Sequence, residues 1–200
     1  MVVGYQTKDT VAGFNFIAPT FENVAEGGVD IQDIKLSGEV NEYGDNIQVL
    51  DEGGATYEQY LWTADGWIDF NTFEVANKTL TAGASVLIET ASPVSVTMSG
   101  KVGTSNYETL SVAGFNFVGN TTPVDVDIQS IQLEGDVNEY GDNIQILDEG
   151  GATIEQYLWT ADGWIDFNTF SLAEKTIPAG QGLLIETAND NVKIIVPPAL

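Results

Sequence analysis

A stretch of sequence that occurs twice constrains this chain more than any other feature. Asn41 to Phe73, NEYGDNIQVLDEGGATYEQYLWTADGWIDFNTF, returns at Asn138 to Phe170, and only Val49/Ile146 and Tyr57/Ile154 differ between the copies. The residues before it, Thr20 to Val40 and Asn120 to Val137, have diverged in both length and sequence. Such self-similarity is the mark of a tandem duplication. A chain of 200 residues then divides into two domains of ordinary size, 1–100 and 101–200. Function is to be sought in the repeated block or where the copies join.

The periodicity predicts strands throughout and no helix. Val2 to Val11 is a β-prone run closed by Ala12-Gly13, and Phe14-Asn15-Phe16-Ile17 alternates apolar and polar residues as a half-buried strand does, with Phe115-Asn116-Phe117-Val118 as its counterpart. A variable, Gly- and acid-rich loop, Glu22 to Asp30, leads to an apolar segment through Ile31, Ile34 and Leu36. Ile47 to Leu50 reads as a strand closed by Asp51-Glu52-Gly53-Gly54. Tyr57 to Trp62 and Trp67 to Phe73 flank Thr63-Ala64-Asp65-Gly66, a hairpin whose loop reads as longer than the tight two-residue kind. Gly-containing turns at Thr81 to Ser85 and Pro178 to Gly182 feed buried strands, and each repeat ends on a last strand, Val94 to Met98 or Val192 to Val196. About eight short strands per repeat predict an all-β fold of two tandem, homologous antiparallel β-sandwich or partly open barrel domains. The join, Ser99 to Gly103, carries no flexible linker, so the domains are expected to touch, packed end to end.

Charge and composition exclude several functions. Thirty acidic residues face six lysines and no arginine, a formal net charge of −24 that the halves share equally. Nucleic acid and anionic membrane surfaces are therefore poor partners, which leaves cations, neutral glycans or protein. A large single-sign charge also keeps a repetitive β protein soluble by self-repulsion. With no Cys and no His, imidazole and thiolate chemistry is excluded, and no catalytic signature appears. The opening MVVGYQTKDT has neither a basic n-region nor an apolar h-region, and no run approaches the length of a membrane span. A mature exported chain or a cytosolic one is the expectation from that end.

The order GFNF, then YLW and W across a short loop, then a Gly-rich turn into LLIE, resembles the tandem all-β domains of bacterial secreted and surface proteins. The resemblance covers both repeats. It implies an exported, non-enzymatic protein, extracellular or at the cell surface, and it transfers no site residue; no cofactor is expected beyond the Ca²⁺ considered below.

Three sets of candidate residues follow. If Trp62 and Trp67 pair across the hairpin, Leu61 meets Ile68 and Tyr60 meets Asp69. One face then carries Tyr57, Leu61, Ile68 and Phe70, the natural core. The other carries Glu58, Tyr60, Trp62, Trp67 and Asp69, aromatics beside carboxylates that suit a sugar ring. The second repeat offers Glu155, Tyr157, Trp159, Trp164 and Asp166. Packing of this face against a sheet, the other repeat or another subunit is the competing reading, and a one-residue register slip exchanges the faces. Glu58 with Asp69 is also the nearest pair to a glycosidase arrangement, in a chain where acids are too abundant for the pairing to mean much. Loop carboxylates Asp45, Asp51 and Asp65, with Asp142, Asp148 and Asp162, are hard ligands that suit Ca²⁺, although no alternating calcium-loop spacing is present and Asp favours turns for backbone reasons. Assembly is the third: Val2, Val3 and Tyr5 at one end and Val192, Ile194 and Val196 at the other are placed to repeat between chains, head to tail, the contact made between the domains. The expected function is that of a structural subunit of such a fibre or surface assembly, with glycan binding as the alternative.

Overall fold

A computed structural model describes residues 3–21, 28–50, 57–81, 83–147 and 154–198. The fold is all-β, two similar sandwich-like halves without a closed barrel. The first half contains β1 (Val3–Asp9), β2 (Gly13–Ile17), β3 (Gly28–Asp30), β4 (Ile34–Gly38), β5 (Asn46–Leu50), β6 (Tyr57–Thr63), β7 (Gly66–Asp69), β8 (Thr79–Thr81), β9 (Val86–Thr90) and β10 (Val94–Lys101). The second repeats them in order: β11 (Tyr107–Leu110), β12 (Gly114–Gly119), β13 (Val126–Asp127), β14 (Gln132–Glu134), β15 (Asn143–Leu147), β16 (Ile154–Thr160), β17 (Gly163–Asp166), β18 (Thr176–Ile177), β19 (Gly182–Thr187) and β20 (Lys193–Val196).

Each half stacks a three-stranded sheet, β1-β10-β4 or β11-β20-β14, on a five-stranded one, β2-β9-β5-β6-β7 or β12-β19-β15-β16-β17. All pairings are antiparallel. Alternation fills the space between the sheets: Val94, Val96 and Met98 of β10 and Val86 and Ile88 of β9 are buried while their neighbours are not. Among the described residues ten strands form per half, against an expectation of about eight. The additional short pair, β3 with β8, puts Gly28–Asp30 in a strand where the composition suggested only a loop.

The repeated block supplies the pin that holds the two layers. Trp67 has no exposed surface, and its indole N–H donates to the Ile34 carbonyl on the facing sheet at 2.7 Å. A 3-10 turn at Ile31–Asp33, capped by the Asp30 carboxylate on the Gln32 N–H, aims the Gln32 amide at the same strand. Gln32 donates to the Trp67 and Ala76 carbonyls and accepts from the Trp67 N–H. Any Cβ on Gly66 would collide with that amide oxygen, and Gly66 also sits at φ 116° beyond the loop. The second half repeats the pin with Trp164, Ile131 and Gln129.

The junction between the halves is not the translational stacking expected from the short linker. Ile17 of β2 bridges to Gln181 just before β19, and Val118 of β12 bridges to Ala84 just before β9. Ile17 and Val118 occupy equivalent places in the two repeats, as do Ala84 and Gln181, so the halves exchange the same contact. Phe16 meets its equivalent Phe117 edge to face, ring centroids 5.5 Å apart, and Ala18 lies against its equivalent Gly119. Tyr107 lies against Gly83 and its counterpart Gln6 against Gly180. This is the pattern of an isologous, two-fold contact, which closes on itself.

Gly182 is the tight point of that junction. A Cβ there would stand 2.8 Å from both the Phe16 carbonyl carbon and its ring, atoms of the other half. Gly182→Val is therefore expected to part the halves while each keeps its strands. The check is small-angle scattering beside far-UV circular dichroism: a larger radius of gyration with an unchanged spectrum is expected, and an unchanged radius would contradict the junction.

Candidate functional site

The hairpin register is the one read from the sequence: Trp62 pairs with Trp67, Leu61 with Ile68 and Tyr60 with Asp69. Its loop is tighter than expected, since Thr63 pairs with Gly66 and only Ala64 and Asp65 lie between. The two faces are exchanged. Tyr60, Trp62 and Trp67 belong to the first core cluster and Tyr157, Trp159 and Trp164 to the second; on the other face Leu61 is buried as expected, outside that cluster, while Ile68 is half-buried and Phe70 exposed. The tryptophans pack edge to face at 5.0 Å and 4.9 Å. They are core, and offer no open stacking surface to a sugar.

The carboxylates beside them are engaged. The Tyr60 hydroxyl donates to Glu58 at 2.9 Å, and Lys78 reaches the same carboxylate at 2.6 Å, which holds Glu58 below its usual range. Burial, then the Glu58 hydrogen bond, pushes the Tyr60 phenol far upward. Tyr157, Glu155 and Lys175 repeat the set. Asp69 accepts the N–H groups of Asn71 and Thr72, and the Thr72 and Asn71 backbone bonds lower its pKa; Asp166 does the same with Asn168 and Thr169. A glycosidase acid needs a raised carboxyl pKa, and in the pair Glu58 and Asp69 both are lowered.

The loop acids divide. Asp45 has no exposed surface and staples two loops, accepting the Asn41 N–H at 2.9 Å and the Ala91 N–H at 2.8 Å; Asp142 does so with Asn138 and Ala188. Those oxygens hold backbone donors where a calcium site was considered. Asp65 and Asp162 are exposed on the hairpin loops. Asp51 and Asp148 lie outside the described residues. Among the described residues no group of three or more acidic, His or Cys side chains is placed to hold a metal ion.

Of the strand ends considered for assembly, the C-terminal set lies inside the second half, and the N-terminal set lies on β1, an edge strand of its sheet. Val192, Ile194 and Val196 are fully buried, and β20 is flanked on both sides by β11 and β14, so it offers no edge. The backbone of Val3 pairs with Lys101 of its own half, and Val2 lies outside the described residues. Tyr5, on the same strand, is 78% exposed.

What both halves do present is a turn that pattern reading passed over. After β7 the chain runs through Asp69 to Val75, with Phe70, Phe73 and Val75 exposed; Phe167, Phe170 and Leu172 match them. Phe73 and Phe170 sit at φ 58° and 54°, and Tyr43 and Tyr140, also exposed, at 62° and 63°. Bulky residues seldom adopt this left-handed conformation, which costs of order 1–3 kcal/mol. The Asp69 carboxylate and the Phe73 N–H bonded to the Asp69 carbonyl hold the turn. The sequence signal was Asp-Phe-Asn-Thr-Phe, an Asx turn bracketed by aromatics.

The outer face of each five-stranded sheet is partly covered: Phe14 and Val75 at its margins are exposed, while Asn46 and Leu61 between them are buried. Across it the register aligns Phe14, Glu89, Asn46, Leu61 and Ile68, with Val75 beyond; a second row aligns Phe16, Leu87, Gln48 and Gln59. Asn46 and Gln48 both donate to Glu89, so the middle of the face is an amide–carboxylate row between apolar margins. Asn143, Gln145 and Glu186 reproduce it.

No family model, curated protein or solved structure matches this chain. Phe73 and Phe170 are exposed and strained, so glycine at either position removes a backbone cost and little packing. Phe73→Gly and Phe170→Gly are each expected to raise stability by about 1 kcal/mol in urea denaturation. A loss of stability in either variant would show that the turn is a packing element instead of a presented surface.

Proposed function

We propose that this protein is a structural, non-enzymatic subunit of an extracellular or cell-surface assembly, joining its neighbours through the aromatic turns that follow β7 and β17. The observation that carries this reading is the doubled turn: two equal, exposed, apolar surfaces held at a backbone cost. They stand on the strands farthest from the junction in the sheet order, so the chain has two like ends. A closed junction supplies no template for head-to-tail growth, but two like ends also make a line. Each turn meets a second copy of itself. The net charge of −24 opposes that contact at low salt, so cations or added salt are expected to favour it.

Negative-stain electron microscopy with and without millimolar calcium, beside light scattering, tests this. Filaments are expected in calcium or at raised salt. Phe170→Ala leaves one working end and is expected to stop growth at dimers, whereas head-to-tail growth would stop at monomers. Discrete single-chain particles in every condition would end the assembly reading.

A further inference from the structure

A groove of about 320 Å³ opens where β2 meets the second half, and it is not repeated with the same residues. Phe14 and Phe16 line it from β2, Lys8 and Asp9 from β1, and Pro178 and Gln181 from the second half. The equivalents of Lys8, Asp9, Pro178 and Gln181 are Thr109, Leu110, Thr81 and Ala84, so the two-fold-related place lacks the charged pair and the amide. The repeats thus diverge at this groove while their central block stays nearly identical.

Its chemistry is amphipathic. The Phe14 ring is half exposed, and Phe14 begins the outer-face row that continues into the Glu89, Asn46 and Gln48 group. The Gln181 amide is fixed at the junction: its oxygen accepts from Lys8 at 3.3 Å, and its nitrogen donates to the Phe16 carbonyl of the other half at 3.4 Å and to the neighbouring Gly182 carbonyl at 3.0 Å. An aromatic ring beside an oriented amide suits a ligand with one apolar face and a rim of hydroxyls, and the volume lies within the range of small-ligand sites. Within the groove Lys8 and Asp9 offset each other, and the chain as a whole, thirty acidic residues to six lysines, repels a polyanion. We infer that this groove holds a neutral glycan, one per chain, with a sugar ring on Phe14 and its hydroxyls donating to the Gln181 amide oxygen and the Asp9 carboxylate. The inference rests on the extracellular reading above for where a glycan would be met. It does not depend on the assembly turns.

Titration calorimetry of the full chain, in low salt without calcium, against oligosaccharides of glucose, mannose and galactose tests it, with oligogalacturonate as the anionic comparison. One-to-one binding of a neutral oligosaccharide is expected, weakened about ten-fold by Phe14→Ala and by Gln181→Ala and unchanged by Tyr5→Ala. Gln181→Ala restores the residue type found at the equivalent place in the first half, so folding is preserved, as circular dichroism will report. No neutral binding at millimolar concentration, binding indifferent to Phe14→Ala, or binding of the anionic oligosaccharide alone would overturn the inference. Calorimetry without calcium reads the groove and microscopy reads the turns, so failure of one is distinguishable from failure of the other.

Discussion

The exchange of Ile17–Gln181 and Val118–Ala84 bridges determines which surfaces of this protein are left to meet anything else. Each half covers the end of the other half's β2 or β12 strand, so the last residues of two sheet edges meet each other instead of solvent. The contact tolerates only small residues at its closest points, Ala18 against Gly119 and Gly182 against the Phe16 backbone. Because it is reciprocal it ends there. Among the described residues, the surfaces left outward include a pair of equal turns at the far edges and a groove where the repeats have diverged.

Within each half a second constraint operates, and it accounts for much of the repeated block. Trp67 is too large to leave in water and carries an N–H that must be satisfied if buried, so its strand must face the Ile34 carbonyl. Gln32 then completes the backbone bonding of β7 and the segment ending at Ala76. Asp45 and Asp69, which look like ligands in a list of acids, are staples for the turns on either side of that hairpin. A buried aromatic pair with its polar supports is a unit in which few residues can change alone, whereas Lys8, Asp9, Pro178 and Gln181 at the groove belong to neither core cluster.

Repeat, strand class and hairpin register were all legible from local pattern. Trp62 opposite Trp67 follows from the spacing around an Asp-Gly loop. The choice of buried face was not legible, because both faces of this hairpin are apolar: Leu61, Ile68 and Phe70 on one, Tyr60, Trp62 and Trp67 on the other. Side-chain volume and a carbonyl partner 33 residues away decided it. Likewise, Val192, Ile194 and Val196 alternate as any core strand does, and nothing local reveals that β11, far back in the chain, returns to cover the edge of β20. The two-fold junction depends on close approach at Ala18, Gly119 and Gly182, residues whose smallness has many causes in a sequence. The left-handed aromatics were hidden for a similar reason, since propensity argues against placing Phe73 or Tyr43 at positive φ.

The measurement that tests the closed junction most directly uses the absence of cysteine. Ala84→Cys combined with Val118→Cys places two thiols on antiparallel bridge partners, within the reach of a disulfide, in a chain with no other sulfhydryl. Mild oxidation of the dilute protein is predicted to form one bond within the chain, seen as a monomer of increased mobility on a non-reducing gel. Free thiols after oxidation, or bonds formed only between chains, would contradict the two-fold junction and the account of the exposed surfaces built on it.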